Sequence, residues 1–322
     1  MKSTIKDVAV KANVSVATVS RFLNSNGYVG KSSAEKIERA IAELDYQPSE
    51  TARSLSTNKS KLIGFLSPDI ENPFFSTVAK GIESAAQIEG YTVLIGNTGD
   101  SLVKSSEYIA TFQANNVSGI LSATGILHKE SKMPIVYLDR RPKNAKYSVT
   151  ADAVQGGDLI ANRICASKNT QNICIISGPD EISEVSSKLG ILRKRFSNQE
   201  YRVSEFPIDS FQVRDLEKNI HNCLEQNMDV DTFIASNDIY AMGLMSELQN
   251  RGKKVPEDVQ VIGYDNISLA GLGFPKLTTV DQHPFEIGKR GFELLNSILE
   301  TPNMEDEHVK LAVELIKGHS VR

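Results

Sequence analysis

Residues 4–24 read TIKDVAVKANVSVATVSRFLN, two short amphipathic segments on either side of one tight joint. Thr4 precedes IKDVAVKA as a helix N-cap, and Ile5, Val8 and Ala9 share one face. Asn13 and Val14 end that helix in a turn. Ser15 caps a second helix, VATVSRFLN, whose Val19, Phe22 and Leu23 recur at three and four residues and so face inward. After the break GYVG, the segment SSAEKIERAIAELDY puts Ile37, Ala40, Ile41 and Leu44 on one stripe until Pro48 stops it. Two helices, a short joint and a supporting third helix make a helix-turn-helix unit over residues 1–47.

Residues 48–60, PSETARSLSTNKS, lack an apolar face and read as a hinge with a helical turn or two around ETARSL. Beyond it the pattern changes. KLIGFL, YTVLIG, SGILSA, PIVYLD, NICIIS, DTFIAS and VQVIGYD are short β-rich runs. Helical stretches lie between most of them, at 73–89, 102–115, 153–167, 211–226, 237–251 and 284–299. Such alternation predicts an α/β core of doubly wound parallel sheets with right-handed crossovers. Residues 61–322 are enough for two lobes: an N-lobe about 61–157 and 285–310, and a C-lobe about 158–284 and 311–322.

The 322-residue chain carries a net charge of −4, with 40% hydrophobic and 24% charged residues, an ordinary globular balance. Residues 1–60 hold nine basic and six acidic residues, whereas the remainder holds 27 and 34. A basic head on an acidic body fits a molecule that touches nucleic acid through the head alone. Cys165, Cys174 and Cys223 are well separated and read as reduced core fillers. The start lacks an apolar run of signal-peptide length, and no stretch suits a membrane span, so a cytoplasmic location is expected.

With Val19, Phe22 and Leu23 inward, the second helix presents Val16, Ala17, Ser20, Arg21 and Asn24 outward. Small residues at its start let the backbone approach a DNA major groove. Val16 and Ala17 suit thymine methyls, and the Arg21 fork suits guanine O6/N7. Thr4, Ser15, Thr18 and Asn24 suit phosphate oxygens, which position without specifying. The alternative is a helical protein-interaction domain with an ordinary surface Arg21.

TIKDVAVKANVSVATVSRFLN followed by YQPSETARSL resembles the head of the lactose/galactose-repressor family. That family opens with T-x-x-D-V-A-x-x-A-x-V-S-x-x-T-V-S-R-x-L-N and closes its head with Y-x-P-x-x-x-A-R-x-L. The resemblance implies that residues 49–57, with Ala52 and Arg53, become a hinge helix when two chains sit on an operator, and that Leu55 wedges into the minor groove. An apolar wedge unstacks a base step and widens the groove. Gly30 departs from the serine that usually caps the third helix, so Ser32 or Ser33 is expected to take the cap and start that helix late.

The resemblance runs to the end of the chain, through IGFLSPDIENPFF, IGYDNISLA, LTTVDQHPFEIG and the last-strand segment VELIKGHSVR. It implies a periplasmic-binding-protein-like core with its ligand between the lobes. Candidate effector contacts lie just past strand carboxyl ends. Asn72, Phe74 and Phe75 open a helix, and either ring is a stacking surface or a helix anchor. Asp139 and Arg140 suit paired hydroxyls or form a strand-end salt bridge. Asn237 and Asp238 are ligand contacts or helix caps. Asp265 matches a recurrent effector-binding aspartate of the family, and Gln282 has a weaker claim. The family's effector-binding Arg falls at Ser187 here. Lys188 is the substitute, as a point charge without a planar fork, and points to an unusual or weakly bound effector.

No GxGxxG after a strand, Walker loop, HExxH or GxSxG is present, so no catalytic residues and no cofactor are expected. His128, His221, His283, His308 and His319 share no metal-ligand spacing, and the acids before His308 read as solvated charge, so no metal is expected. The expectation is a repressor, not an enzyme. It binds a pseudo-palindromic double-stranded DNA operator as a homodimer, and a small-molecule effector, expected to be a sugar, changes its operator affinity. A pentose such as ribose, a hexose or disaccharide, and a purine are the effector candidates. Release by the effector is the default, and co-repression stays open. The alternatives are a sugar carrier without a regulatory role and a regulator controlled by a partner protein. No leucine heptad tail follows HSVR, so a dimer is expected rather than a tail-tethered tetramer.

Overall fold

The computed structural model describes residues 3–24, 27–46, 60–129, 131–179, 182–197, 200–301 and 304–322. The chain divides into two compact units, Met1–Ser60 and Lys61–Arg322. In the first, α1 (Ile5–Ala12), α2 (Val16–Asn24) and α3 (Lys31–Glu43) enclose Val8, Ala9, Ala12, Val19, Ile37 and Ala40. Phe22, Leu23, Ile41 and Leu44 pack around that cluster. Thr4 and Asp7 form a capping box, and Asn13 ends α1 in a left-handed conformation (φ 52°). The expected late start of α3 does not occur. Gly30 is extended at the N-cap without a side-chain bond, and its carbonyl accepts from Ser33 N–H and Ala34 N–H. Glycine is tolerated at an N-cap at little cost.

The second unit contains two parallel sheets. The first takes the order β11-β5-β4-β3-β1-β2, from β1 (Leu62–Ser67), β2 (Thr92–Asn97), β3 (Gly119–Ser122), β4 (Ile135–Leu138), β5 (Tyr147–Ala151) and β11 (Glu307–Leu311). Helices α4 (Pro73–Ile88), α5 (Leu102–Ala114) and α10 (Pro284–Glu300) belong to this lobe, with α10 packed along α4 and against β3, β4 and β5. The second sheet takes the order β7-β6-β8-β9, from β6 (Asn172–Ser177), β7 (Arg202–Pro207), β8 (Thr232–Ile234) and β9 (Gln260–Ile262). Around it lie α6 (Ala153–Cys165), α7 (Ser183–Ser197), α8 (Leu216–Gln226) and α9 (Asp238–Asn250). An antiparallel ribbon joins β10 (Thr279–Asp281) to β12 (Glu314–Ile316), and bridges at Ile262–Thr278 and Asp265–Asp281 tie it to the second sheet. Among the described residues, no helix is long and apolar enough to cross a membrane.

Strands β5, β7, β10 and β11, and helix α7, have no counterpart among the runs expected from periodicity. Strand β5 is buried on both faces yet carries Ser148 and Thr150, whereas β7 and β11 are edge strands with mostly exposed, polar side chains. The expected helix 211–226 is split into a 3-10 turn, Val213–Asp215, and α8. The chain leaves the first lobe at Asp152, not near residue 157. Asp152 caps α6 by accepting from Val154 N–H and Gln155 N–H, and α6 packs on α7. It returns between β10 and α10 and crosses again between β11 and β12, which makes three crossovers.

Candidate functional site

In the head, Val16 is 41% exposed, Ala17 and Arg21 are exposed, and Ser20 and Thr18 are half-buried, while Val19 is fully buried. The outward face of α2 is therefore small and apolar at its start, with one guanidinium a turn later. Ser15 Oγ accepts from Thr18 N–H at 3.1 Å and bonds Thr18 Oγ1 at 2.8 Å. Thr4 Oγ1 donates to Asp7 at 2.7 Å, and that bond holds the Asp7 carboxyl below its usual range. Thr4, Ser15 and Thr18 thus spend hydrogen-bonding capacity on helix starts, which orients those starts. The Asn24 side chain and the hinge residues Ala52, Arg53 and Leu55 lie outside the described residues.

In the core, a cavity of about 540 Å³, counted to its open mouth, sits at the carboxyl ends of both sheets. Asn72, Phe74, Phe75, Asp139 and Arg140 line it from the first lobe. Lys188, Asn237 and Asp265 line it from the second lobe, and Gln282 from the β10–α10 crossover. Phe74 and Phe75 pack edge to face at 5.1 Å. Asn72 accepts from Phe74 N–H at 3.0 Å and caps α4, and Asn237 accepts from Tyr240 N–H at 3.0 Å and caps α9. Both asparagines are thus caps that also border the cavity.

Asp139 follows β4 with φ 62°, and Arg140 N–H donates back to Leu138 C=O at 2.6 Å. This is a γ-turn of the strained hand, a conformation that persists only where its surroundings enforce it. It aims two adjacent side chains at one cavity. Arg140 is held by Asp100 at 2.9 Å, lies 3.7 Å from Asp139, and has its guanidinium 5.3 Å from the Phe75 ring and 5.6 Å from the Phe211 ring. Burial pushes the Asp139 carboxyl up to about 7, against the opposing pull of Arg140.

Lys188 donates to Ser236 C=O at 3.0 Å and lies 3.7 Å over the Tyr264 ring. Burial pushes its ammonium down to about 8, opposed by Asp265, Asp139 and Asp238. Ser187, by contrast, is exposed and donates to Ser183 C=O at 2.7 Å, outside this cavity. The cationic side chain on α7 that faces the cavity is therefore Lys188. Gln282 donates to Asp265 at 2.6 Å. Burial, with Asp238 and Asp139 nearby, raises the Asp265 carboxyl well above its usual range.

Asp238 is the exception among the candidates. It is fully buried and does not line the cavity. Its carboxylate accepts from Thr279 Oγ1 at 2.5 Å and Ile267 N–H at 2.9 Å, tying α9 to β10 and the loop after β9. Among the described residues, its hydrogen-bond partners all belong to the fold. The periodicity reading also missed Phe211, Ser236 and Tyr264, which line the cavity. Ser236 precedes Asn237 and Tyr264 precedes Asp265, so adjacency to a strand end was a usable signal; Phe211 had none. Among the described residues, the buried Ser236 and Tyr264 hydroxyls have no hydrogen-bond partner. Such groups are costly unless a ligand or water meets them.

Residues 4–49 match the bacterial regulatory proteins of the lacI family, and residues 174–321 match the periplasmic binding protein-like domain. The chain is 39% identical to the ribose operon repressor of Bacillus subtilis (strain 168), over 99% of both chains. A Lac repressor dimer solved with operator and the anti-inducer ONPF superposes with a TM-score of 0.86 over 99% of both chains, at 22% identity, a likeness of fold. A LacI family transcriptional regulator from Enterococcus faecium, solved with bound ribose, is 27% identical with a TM-score of 0.72, covering 80% of this chain and 98% of that one. The chain belongs to the lacI family of bacterial regulatory proteins, DNA-binding transcription regulators whose operator affinity a small molecule changes.

Proposed function

We propose that this protein is a repressor of pentose-utilisation genes that binds a pseudo-palindromic operator as a homodimer and is released by ribose. The carrying observation is the cavity's polar set. Asp139, Arg140, Lys188, Asp265 and Gln282 converge from both lobes beside the Phe74 and Phe75 rings and two unpartnered hydroxyls. Charged acceptors and donors in pairs suit the vicinal hydroxyls of a small sugar, with the rings for its apolar face. The likeness to a ribose operon repressor and to a regulator solved with bound ribose supports the same reading. Asp139 and Asp265 accept from sugar hydroxyls, while Arg140 and Lys188 donate. Because the cavity is built from both lobes, a sugar stabilises their closed arrangement. Release follows if that arrangement disfavours the operator-bound state. In the head, Ala17 and Arg21 read bases, and Ser15 and Thr18 position the backbone. The sequence offers no catalytic set, so binding without turnover is the reading.

The test is fluorescence anisotropy of the purified protein on the palindrome upstream of its own gene, with ribose, sucrose or adenine added. Weakening by ribose alone supports the proposal. Weakening by adenine alone makes the effector a purine, and strengthening by ribose makes it a co-repressor. Arg21→Ala is expected to lose discrimination between operator and random DNA by about 1–3 kcal/mol while keeping salt-sensitive binding. Asp265→Asn is expected to keep operator affinity and lose the ribose response.

A further inference from the structure

Asp281 and Glu314 face each other directly across the β10–β12 ribbon. Like charges at opposed positions of an antiparallel pair repel, yet among the described residues neither carboxylate is ion-paired with a Lys or Arg. His283 lies two residues on, and one ligand atom from each of the three side chains falls within 4.8 Å of the others. We propose that Asp281, His283 and Glu314 bind a divalent first-row transition-metal ion at the crossover between the lobes.

The geometry is closer to a metal pocket than to a salt bridge. His283 Nδ1 stands 3.6 Å from Asp281 Oδ2, beyond normal hydrogen-bond range. Two ligands about 2.0–2.1 Å from a shared tetrahedral ion are separated by about 3.4 Å, so little movement is needed. The Asp281 carboxylate is already oriented. Its Oδ1 accepts from His283 N–H at 2.6 Å and its Oδ2 from Asn266 Nδ2 at 2.8 Å. Donors of this kind fix a ligating carboxylate in catalogued metal sites. Glu314 is exposed and supplies the adaptable third ligand, with water completing the sphere. One imidazole and two carboxylates without sulfur suit Zn²⁺, Mn²⁺ or Co²⁺ over an oxygen-only Mg²⁺ or Ca²⁺ site.

Position gives the ion a consequence. Asp281 and His283 flank the crossover from β10 to α10, and Glu314 closes the crossover from β11 to β12. An ion therefore staples two of the three connections between lobes. Gln282, between two of the ligands, lines the cavity and donates to Asp265. Metal occupancy would thus stiffen the lobes and fix a cavity residue at once. The site itself stands whatever ligand the cavity takes.

The experiment is isothermal titration of chelator-stripped full-length protein with Zn²⁺, repeated with Co²⁺ while visible absorption is recorded. Expected are one ion per chain, cobalt bands indicating bound nitrogen and oxygen ligands, and no competition from excess Mg²⁺. His283→Gln and Glu314→Gln should each weaken Zn²⁺ affinity at least tenfold. Without metal, the unfolding midpoint of Glu314→Gln should equal or exceed that of the parent, because the side chain is exposed and the change removes its repulsion with Asp281. Absence of saturable Zn²⁺ uptake, displacement by Mg²⁺, or equal uptake by parent and both variants overturns the proposal.

Discussion

Asp139 sits on a strained γ-turn, and its environment sets how the cavity responds to pH. With its carboxyl near 7 and the Lys188 ammonium near 8, both groups titrate close to neutrality. A sugar whose hydroxyls donate to Asp139 favours the carboxylate and lowers its pKa on binding. Binding then releases a proton, and affinity falls as pH drops below about 7, by up to about tenfold per unit. Lys188 has the opposite limb: it donates best while charged, so affinity falls again as pH rises above about 8. Ribose affinity, measured by calorimetry from pH 5.5 to 9.5, is expected to peak between these values. Affinity that rises on acidification would mean that Asp139 acts as a neutral donor. The same residue shows what sequence could offer. A strand-end Asp-Arg pair was visible in PIVYLDRR, but the γ-turn that aims both side chains depends on backbone geometry and leaves no periodic mark.

Among elements, α4 and α10 are packed at backbone distance. A Cβ on Gly81 would strike Phe285 C=O, and one on Gly288 would strike Val78 C=O. Neither obstacle is the end of a flexible side chain, so the helices themselves would have to separate. Gly288→Ala is therefore expected to cost about 2 kcal/mol or more, near the upper range for overpacking, and to lower the urea midpoint of the core. An unchanged midpoint would show that α10 slides freely. This close approach was not legible, because a glycine in a helix pattern reads only as a local penalty. The helices were legible by contrast wherever one apolar stripe faced a sheet, as in PFFSTVAKGIESAAQI and PFEIGKRGFELLNSILE. Strands were legible where both faces are buried and aliphatic, as in IGFL and ICII. They were lost where the edge of a sheet puts charged residues outward, as in RVSEF and EHVKL. In the cavity, strand ends located Asp265 and Arg140, and the resemblance, which set the family's Arg at Ser187, supplied Lys188 as its substitute. For Asp238 the sequence left ligand contact and a local structural bond both open, because a buried carboxylate tying β10 to α9 looks, in sequence, like one facing a ligand.

At the scale of the core, the two lobes are latched at both rims. Ser183 donates to Arg141 C=O at 3.1 Å, and Glu184 accepts from Arg141 N–H at 3.2 Å. Elsewhere on the rim, Gln212 donates to Gly99 C=O and Val213 N–H donates to Asp69 at 3.3 Å. These bonds join loops, so they can break without loss of either sheet, and they mark the closed arrangement that a bound sugar would reinforce. A homodimer needs a further surface. Leu272 is 78% exposed and Phe274 93% exposed on one loop of the second lobe. Apolar side chains held out on a fixed loop suit a partner surface, and the loop is fixed here: Gln249 donates to Phe274 C=O at 3.0 Å. The ring contributes nothing visible to the fold of its own chain, so Phe274→Glu should leave that fold intact while burying a charge in any dimer. Sedimentation is expected to show a 35.3 kDa monomer in place of a dimer. Operator affinity should fall by roughly 10²–10⁴, because each head then binds without its neighbour's effective concentration. A variant that stays dimeric would move the contact to another face. A monomer that keeps parent affinity would mean that one head suffices, and the pseudo-palindrome would then have no mechanical basis.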